Sequence, residues 1–406
     1  MRLGVFLFHE SRNPGLDAQT IHEAVAEAQL AEKLGMDAVF LAEHHFDGNC
    51  VYVDPPAFAA ALSMATTRIK IGFAVLQTSL YHPLRMAEQI SLIDNLSRGR
   101  LIVGLGRGSL VNTHEYSGYE IDPASAQERF EEIEKILIQC WTQEKVIHEG
   151  KYWNFEIPML RPRPYTKPYP QILRSVASET SLAAQARQGR PVLMAAATAR
   201  GAARNIDIYR TAAAEAGLTP EQIDHAIGQS WVARTVVLAP TDAEAHDIGL
   251  PYFHQMQTYR AAQSTAFEAL AAKRNAAPHP PVLCGSPASM LEDFTSLQAT
   301  GIGGVMVRFR TGPMPAEFST RALNLFMSDI APHLRQPPQT PPKTPILPPA
   351  LGRGGEVSRD ADRRGGLSLK PPQTKKFLHP SPARRIEHIT NNKAATTPRA
   401  KGRTDP

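Results

Sequence analysis

Cysteine is scarce in this chain: Cys50, Cys140 and Cys284 are the only three among 406 residues, and they lie far apart. Their spacing is not typical of a zinc site, and an odd number does not suit a disulfide framework. We therefore expect a protein of the reducing cytoplasm that holds no metal. The chain also lacks any apolar run of the roughly 18 residues that a membrane helix needs, so the sequence predicts no membrane span.

Basic charge is sparse in most of the chain and is concentrated in the tail. Residues 335–406 hold 15 Lys/Arg and 5 Asp/Glu, whereas residues 1–334 hold 29 and 34. The acidic body gives no support for a nucleic-acid site. The tail also holds 13 of the 34 prolines and has almost no apolar periodicity, which predicts disorder. We therefore expect a folded domain over residues 1–334 and a disordered tail over 335–406, which binds polyanions weakly or, as we favour, has no function.

Eight apolar runs alternate with helix-like segments in the predicted folded domain. The first run is too short for a signal peptide and polar residues follow it at once, so we interpret it as a strand. Most runs are nearly continuous in Val, Ile, Leu and Ala, as strands buried on both faces should be. The predicted strands cover residues 3–8, 38–42, 69–76, 101–105, 171–176, 191–196, 231–238 and 303–308. This alternation predicts an α/β fold, namely a (β/α)₈ TIM barrel.

Two connections in this barrel are unusually long. Residues 106–170 are expected to contain one helix and a small hairpin around residues 148–155. Residues 239–302 are expected to contain helices and a stretch at 255–281 without a strong pattern. Long connections in a compact domain are often lids or binding loops, and disorder is the alternative for the second one.

Titratable residues follow the second predicted strand, as Glu43-His44-His45. The carboxyl ends of the strands are where a TIM barrel places its chemistry, and His is well suited to proton transfer near neutral pH. Residues 77–79 and His82 follow the third strand. The alternative is that the paired histidines only hold a loop, since two adjacent histidines are not a specific motif.

A phosphate site is predicted at the ends of the next two strands. Gly106 and Gly108 let the backbone approach a ligand closely, and Arg107 between them supplies a planar cation. Ser178 and Ser181 lie at a predicted helix start, where free N–H groups and hydroxyls attract anions, although ordinary capping is the alternative. We expect Arg107 and this helix start to hold one phosphate from two loops.

These residues make the chain similar to the bacterial luciferase-like flavin monooxygenases, on the luciferase alpha-subunit side of that superfamily. The resemblance is carried by residues 38–46, 82–89, 94–101, 104–108, 178–180 and 326–334, in nearly collinear order. It implies a barrel that binds reduced FMN from a separate flavin reductase. The FMN would react with O₂ to form a flavin hydroperoxide and oxidise a small organic substrate, such as an aldehyde, a ketone or a sulfur compound. The resemblance also implies a dimer through the helices that follow strands two and three.

Site roles follow from this resemblance position by position. His44 matches the active-site histidine, which acts as a base or stabilises the oxygenated flavin. Ala74-Val75 matches a non-proline cis peptide beside the flavin ring, and Gly106 stands where true luciferases carry a reactive cysteine. Residues 193–197 lack the tryptophans of light-emitting subunits, so we do not expect light emission. The predicted cofactor-binding residues are Ala74, Val75, Gly106, Arg107, Gly108, Ala177, Ser178, Glu179, Thr180 and Ser181.

Three other functions stay open at this stage. A deazaflavin-dependent oxidoreductase would need no O₂, but the phosphate motifs favour FMN. A non-catalytic flavin-binding partner subunit would have no use for Glu43-His44-His45. A metal site from His44, His45 and His82 is disfavoured, because adjacent histidines rarely bind one ion together and no nearby carboxylate has ligand spacing.

Overall fold

The computed structural model describes residues 1–109, 112–195, 198–263 and 282–335. The predictions of a disordered tail beyond Arg335 and of a loop or disorder at residues 264–281 lie outside these residues. Twelve strands are described in them. They are β1 (Arg2–Leu7), β2 (Ala38–Leu41), β3 (Lys70–Phe73), β4 (Leu76–Gln77), β5 (Leu101–Gly106), β6 (Val146–Glu149), β7 (Asn154–Ile157), β8 (Gln171–Val176), β9 (Val192–Ala195), β10 (Trp231–Leu238), β11 (Leu283–Gly285) and β12 (Gly304–Arg308).

Eight of these strands form a closed parallel barrel, which confirms the predicted TIM barrel. Their order is β1-β2-β3-β5-β8-β9-β10-β12, and β12 pairs with β1 to close the ring. β4 extends the line of β3 beside β5, and β11 adds to β10. β6 and β7 form the predicted hairpin in the long connection after β5.

Helices surround this barrel and connect its strands. Helices α8 (Pro220–Gln229) and α11 (Pro287–Ala299) begin with reciprocal capping boxes at Thr219 and Ser286, respectively. At Thr241 only half of such a box is present: Thr241 Oγ1 accepts the Glu244 N–H, whereas the Glu244 side chain pairs with Arg321. The helices are α1 (Asp17–Lys33), α2 (Pro55–Ala65), α3 (Pro83–Leu96), α4 (Thr113–Gly118), α5 (Ala126–Thr142), α6 (Glu179–Ala186), α7 (Ala199–Glu215), α8 (Pro220–Gln229), α9 (Asp242–Glu244), α10 (Leu250–Gln263), α11 (Pro287–Ala299), α12 (Ala316–Leu325) and α13 (Ala331–Leu334).

The barrel interior is filled by large side chains set against glycines. Phe40 of β2 packs edge-on against Trp231 of β10, with ring centroids 4.8 Å apart. A Cβ atom on Gly304 would lie 2.5 Å from the Trp231 ring, and one on Gly72 would overlap Phe40. This apolar plug closes the barrel, so a ligand site is left to the loops at the ends of the strands.

Two elements differ from the sequence-based expectation. The predicted strand 69–76 is interrupted after Phe73 by a cis peptide bond between Ala74 and Val75, and it resumes as β4. The long connection after β5 contains two helices rather than one, since α4 precedes α5. In the part of the chain that the structure describes, no helix combines the length and the apolar character needed to cross a membrane.

Candidate active site

Four consecutive barrel strands carry the predicted site residues at their carboxyl ends. His44 follows β2, Ala74 and Val75 follow β3, Arg107 follows β5, and Ser178 follows β8. The order β2-β3-β5-β8 in the sheet makes these strand ends neighbours. Three strand spacings of about 4.8 Å separate the first from the last, so the residues line a rim about 14 Å long.

Buried groups on two sides hold the His44 imidazole. Its ring stacks on Phe8, with centroids 5.1 Å apart and planes 4° from parallel. The guanidinium of Arg308 lies on Phe8 as well, 4.3 Å from the ring centroid. Nδ1 of His44 lies 3.1 Å from Oε1 of Glu115. The side chain is 28% exposed, and Nε2 has no hydrogen-bond partner among the described residues, so one edge of the ring is accessible.

Glu115 is the buried carboxylate of the site, at 0% exposure. Its Oε1 also accepts the backbone N–H of His45 at 3.0 Å, and its Oε2 accepts from Asn112 Nδ2 at 3.3 Å. Burial opposes ionisation of Glu115, but the hydrogen bonds from His44 and from the His45 backbone outweigh it. The pKa of Glu115 therefore lies below its ordinary value, and the group is a carboxylate at neutral pH.

Glu43 and His45 form a second hydrogen-bonded pair, separate from that of Glu115 and His44. His45 Nε2 lies 2.9 Å from Glu43 Oε1, and the Gln77 backbone N–H donates to Glu43 Oε2 at 2.7 Å. Burial raises the pKa of Glu43 despite these bonds. Burial disfavours charge on His45, but the bond to Glu43 outweighs burial and raises the His45 pKa. Both shifts mean that the pair retains a proton to higher pH, which suits a structural pair at the strand end.

The break between β3 and β4 lies against the end of β5, the strand that leads into the Arg107 loop. The non-proline cis peptide stands between Ala74 and Val75, the position that the family resemblance implied. A Cβ atom on Gly106 would overlap Cγ2 of Val75 and would lie 3.6 Å from the Cβ of Ser175. Glycine at position 106 therefore lets the two strand ends pack directly on each other.

The loop of Arg107 is fixed by its backbone, which leaves its side chain available. The Arg107 carbonyl accepts the hydroxyls of Tyr116 at 2.9 Å and of Ser79. Gly108 has φ +94°, and a Cβ there would lie 2.6 Å from the Tyr116 hydroxyl, so only glycine fits without strain. The buried Nε of Arg107 has no hydrogen-bond partner in the described chain, which fits a missing anionic partner.

The start of α6 is a reciprocal cap formed by the side chains of Ser178 and Ser181. Ser178 Oγ accepts the Ser181 N–H at 3.2 Å, and Ser181 Oγ accepts the N–H groups of Ser178 and Ala177 at 3.1 and 3.3 Å. The amides of Glu179 and Thr180 precede the first intrahelical bond, so they are the ones placed to bind an anion. The Glu179 side chain instead pairs with Arg204, which lies on α7.

Sequence reasoning missed Glu115, Tyr116 and Asn112, which contact the predicted residues from α4 or just before it. An acidic residue next to an aromatic one, shortly after the glycine-rich loop, is the local sequence signal for them. The metal alternative finds no support in the geometry. His44 and His45 bind different carboxylates, His82 is exposed, and the described residues contain no cluster of metal-binding side chains.

A cleft lies at the opposite end of the barrel. It measures about 420 Å³ and is lined by residues of α5, α8, β8 and the segment before β9, among them Glu134, Arg174 and Arg190. Glu134 binds both arginines, so one of their two positive charges is compensated within the cleft. Chemistry in such barrels lies at the carboxyl ends of the strands, and we assign the site to the His44–Ser178 rim rather than to this cleft.

Residues 1–305 match the sequence model of the luciferase-like monooxygenase family. The chain is 30% identical over 227 residues to limonene 1,2-monooxygenase of Rhodococcus erythropolis, which covers 55% of this chain and 58% of that protein. It is 26% identical over 173 residues to the oxygenase component of the flavin-dependent trigonelline monooxygenase of Acinetobacter baylyi, covering 42% and 48%. The chain spans about half the length of the curated relatives it matches.

Solved structures share the fold over most of the described chain. Monooxygenase RslO1 from Streptomyces bottropensis has a TM-score of 0.71 and 27% identity, covering 82% of this chain and 99% of that one. The oxygenating constituent of 3,6-diketocamphane monooxygenase from Pseudomonas putida, in complex with FMN, has a TM-score of 0.67 and 22% identity, covering 84% and 100%. An F420-dependent secondary alcohol dehydrogenase has a TM-score of 0.63 and 17% identity, covering 82% and 99%. At the last two identities, the likeness shows the fold alone.

Proposed function

The chain belongs to the luciferase-like monooxygenase family, and from this we propose that it is a flavin-dependent monooxygenase using reduced FMN and O₂. When bound, reduced FMN would supply the two electrons for a reaction with O₂ in which one oxygen atom would pass to a small organic substrate and the other would leave as water. The observation that carries the proposal is the order of groups along the rim. A histidine lies at one end. Near the other end lie a helix start and an arginine whose buried Nε has no hydrogen-bond partner among the described residues, and the rim suits a ring joined to a phosphate.

The phosphate end is proposed to bind through three donors. Arg107 contributes a guanidinium whose buried Nε has no partner within the described chain. The backbone N–H groups of Glu179 and Thr180, in the first turn of α6, are the other two donors. β5 and β8 are paired neighbours, with Leu105 opposite Arg174, so both loops leave the barrel side by side. An arginine with helix-terminal amides is a general solution for a phosphate group.

The ring end is proposed to lie between His44 and the Ala74–Val75 peptide. His44 presents an accessible edge there, while Glu115 and Phe8 hold the opposite edge and one face of its ring. A fixed imidazole with one free nitrogen can take up or return a proton where oxygen chemistry occurs. This geometry disfavours a non-catalytic partner subunit, which would need no such arrangement.

A deazaflavin-dependent dehydrogenase is the second candidate, because the fold is shared with an F420-dependent enzyme. Anaerobic equilibrium titration separates the two. Reduced FMN is expected to bind more tightly than reduced F420, and more tightly than reduced riboflavin, which has the same ring without phosphate. Tighter binding of F420 would overturn the FMN assignment.

The partners are proposed from the relatives and the surface. The trigonelline relative is an oxygenase component, and we propose that a separate flavin reductase likewise supplies this chain, in the reducing cytoplasm. We also propose a dimer through α2 and α3, because they expose Met64, Leu92 and Leu96 at 73%, 49% and 36%. Light scattering should give twice the chain mass, and Leu92→Glu should shift it towards the monomer.

A further inference from the structure

Helix α4 contacts both halves of the candidate site through two adjacent side chains. Glu115 and Tyr116 are each 0% exposed. Glu115 lies 3.1 Å from Nδ1 of His44, whereas Tyr116 donates to the carbonyl of Arg107 at 2.9 Å. The neighbouring histidines have other partners, since His45 binds Glu43 and His114 lies 3.6 Å from Asp47. Among the described residues, the imidazole that meets Glu115 is therefore that of His44.

The proton on His44 has one position that satisfies all its neighbours. Nδ1 lies 3.1 Å from Glu115 Oε1 and also 3.1 Å from Asn112 Nδ2. If Nδ1 accepted from Asn112, its lone pair would face a buried carboxylate oxygen. If Nδ1 carries the hydrogen, it donates to that carboxylate, and Asn112 donates to Glu115 Oε2 instead, at 3.3 Å. A hydrogen bond to a charged acceptor is about twice as strong as a neutral one, so the second arrangement prevails.

We propose that Glu115 is a positioning residue for His44, holding the imidazole in the tautomer with hydrogen on Nδ1 and Nε2 free. The hydrogen bond at one ring nitrogen determines which tautomer is present. Phe8 fixes the ring plane, and Glu115 fixes the rotation of the ring within that plane. What Nε2 does in the reaction rests on the proposed function, but the tautomer is a property of the chain alone.

Side-chain ¹⁵N NMR of histidine in the flavin-free full chain measures this tautomer directly. The His44 signals are assigned by their loss in His44→Gln. In the wild type, unprotonated Nε2 and protonated Nδ1 are expected for the neutral ring. In Glu115→Gln, the ratio of the Nδ1–H to the Nε2–H tautomer should fall about fivefold or more, because the charged acceptor is lost.

Tyr116→Phe is the matched control on the same helix. It removes the contact with the Arg107 carbonyl and leaves Glu115 in place, so it should weaken FMN binding without changing the His44 tautomer. Glu115→Asp keeps the charge and should restore part of the tautomer ratio. A purely structural role for Glu115 would lower the melting temperature of Glu115→Gln but would leave the His44 tautomer as in the wild type.

Several results would overturn the proposal. The wild type could carry its hydrogen on Nε2, or Glu115→Gln could leave the ratio unchanged. If Glu115→Gln does not fold, Asn112→Ala decides, because the Nδ1–H tautomer should persist there, and a change to Nε2–H would contradict the role of Glu115. Failure of the chain to bind reduced flavin would overturn the proposed function and leave the tautomer result standing, so the two failures are distinguishable.

Discussion

Gly106 and Val75 face each other so closely that a Cβ atom on Gly106 would overlap Val75 Cγ2 and would lie 3.4 Å from Val75 Cβ. Val75 is β-branched and stiff at χ1, so it cannot move aside freely. Gly106→Ala is therefore expected to lower the free energy of unfolding by about 1–3 kcal/mol, the usual range for overpacking. Gly106→Cys should do the same, although true luciferases carry a cysteine there.

The double variant Gly106→Ala/Val75→Ala provides the test of this contact. Removing the Val75 methyl groups makes room for the new Cβ, so the double variant should be more stable than the sum of the two single changes predicts. Urea unfolding of the four proteins gives this coupling. Additive losses would show that another contact dictates glycine at position 106.

Arg107→Ala should weaken the binding of reduced FMN by about 1.5–3 kcal/mol, the range for a hydrogen bond to a charged group. Binding of reduced riboflavin should barely change, because it has no phosphate. Arg85→Ala is the matched control, since Arg85 is 73% exposed on α3 and pairs there with Glu88. Anaerobic fluorescence titration of the wild type and both variants measures these affinities. Equal losses of affinity for FMN and for riboflavin in Arg107→Ala would contradict the phosphate role of Arg107.

His44→Ala should keep FMN affinity within a few-fold and reduce turnover by about 10²-fold or more, as loss of a positioned acid or base does. His45→Ala should act on stability first, because His45 is bound to the buried Glu43 and 8% exposed. Steady-state rates and melting temperatures of both variants separate the roles. The assignment is wrong if His44→Ala retains wild-type turnover.

The two buried acids, Glu115 and Glu43, are expected to show opposite pH dependences: the stability lost on replacing each by Gln should change in opposite directions as the pH rises. Glu115 has a lowered pKa, so its contribution is present above the ordinary Glu pKa of about 4.3 and is lost as the pH falls. The stability gap between the wild type and Glu115→Gln should therefore shrink on acidification below about pH 4.5. Urea midpoints from pH 7 to pH 3.5 measure this gap.

Glu43 is the counterpart in the same experiment. Its pKa is raised, so its favourable contribution is present at low pH and is lost as the pH rises above the ordinary value. The raised pKa of His45 acts in the same direction above about pH 6.5. The gap between the wild type and Glu43→Gln should therefore shrink as the pH rises, and parallel slopes for the two variants would refute the assignment.

The sequence was sufficient for the barrel because strands buried on both faces are apolar along their whole length. The same continuity concealed the break after Phe73: Ala74 and Val75 are themselves apolar, so nothing in the pattern marks the cis peptide. Only the family resemblance pointed to it. His44 and Arg107 could be predicted because strand ends are identifiable from the sequence and these residue types carry recognisable chemistry.

Helix α4 could not be predicted, because its six residues, Thr113–Gly118, have no apolar periodicity. The helix and Tyr119, the residue that follows it, are held by contacts with a segment about 70 residues earlier in the chain, including those from Glu115 to His44 and from Tyr119 to His45. The sequence of a short segment does not indicate its contacts with residues so distant in the chain. The role of Ser178 and Ser181 was uncertain for a related reason, since the same hydroxyls suit capping and anion binding, and the structure shows them capping.

Stopped-flow mixing of the reduced FMN complex with O₂ tests the central proposal most directly, with free reduced FMN as the reference. A monooxygenase of this kind is expected to form the flavin hydroperoxide at a rate proportional to the O₂ concentration. Its absorbance should appear before that of oxidised FMN and decay more slowly than it forms. Oxidation of the bound flavin without this intermediate, or with the kinetics of free FMN, would contradict the proposed function.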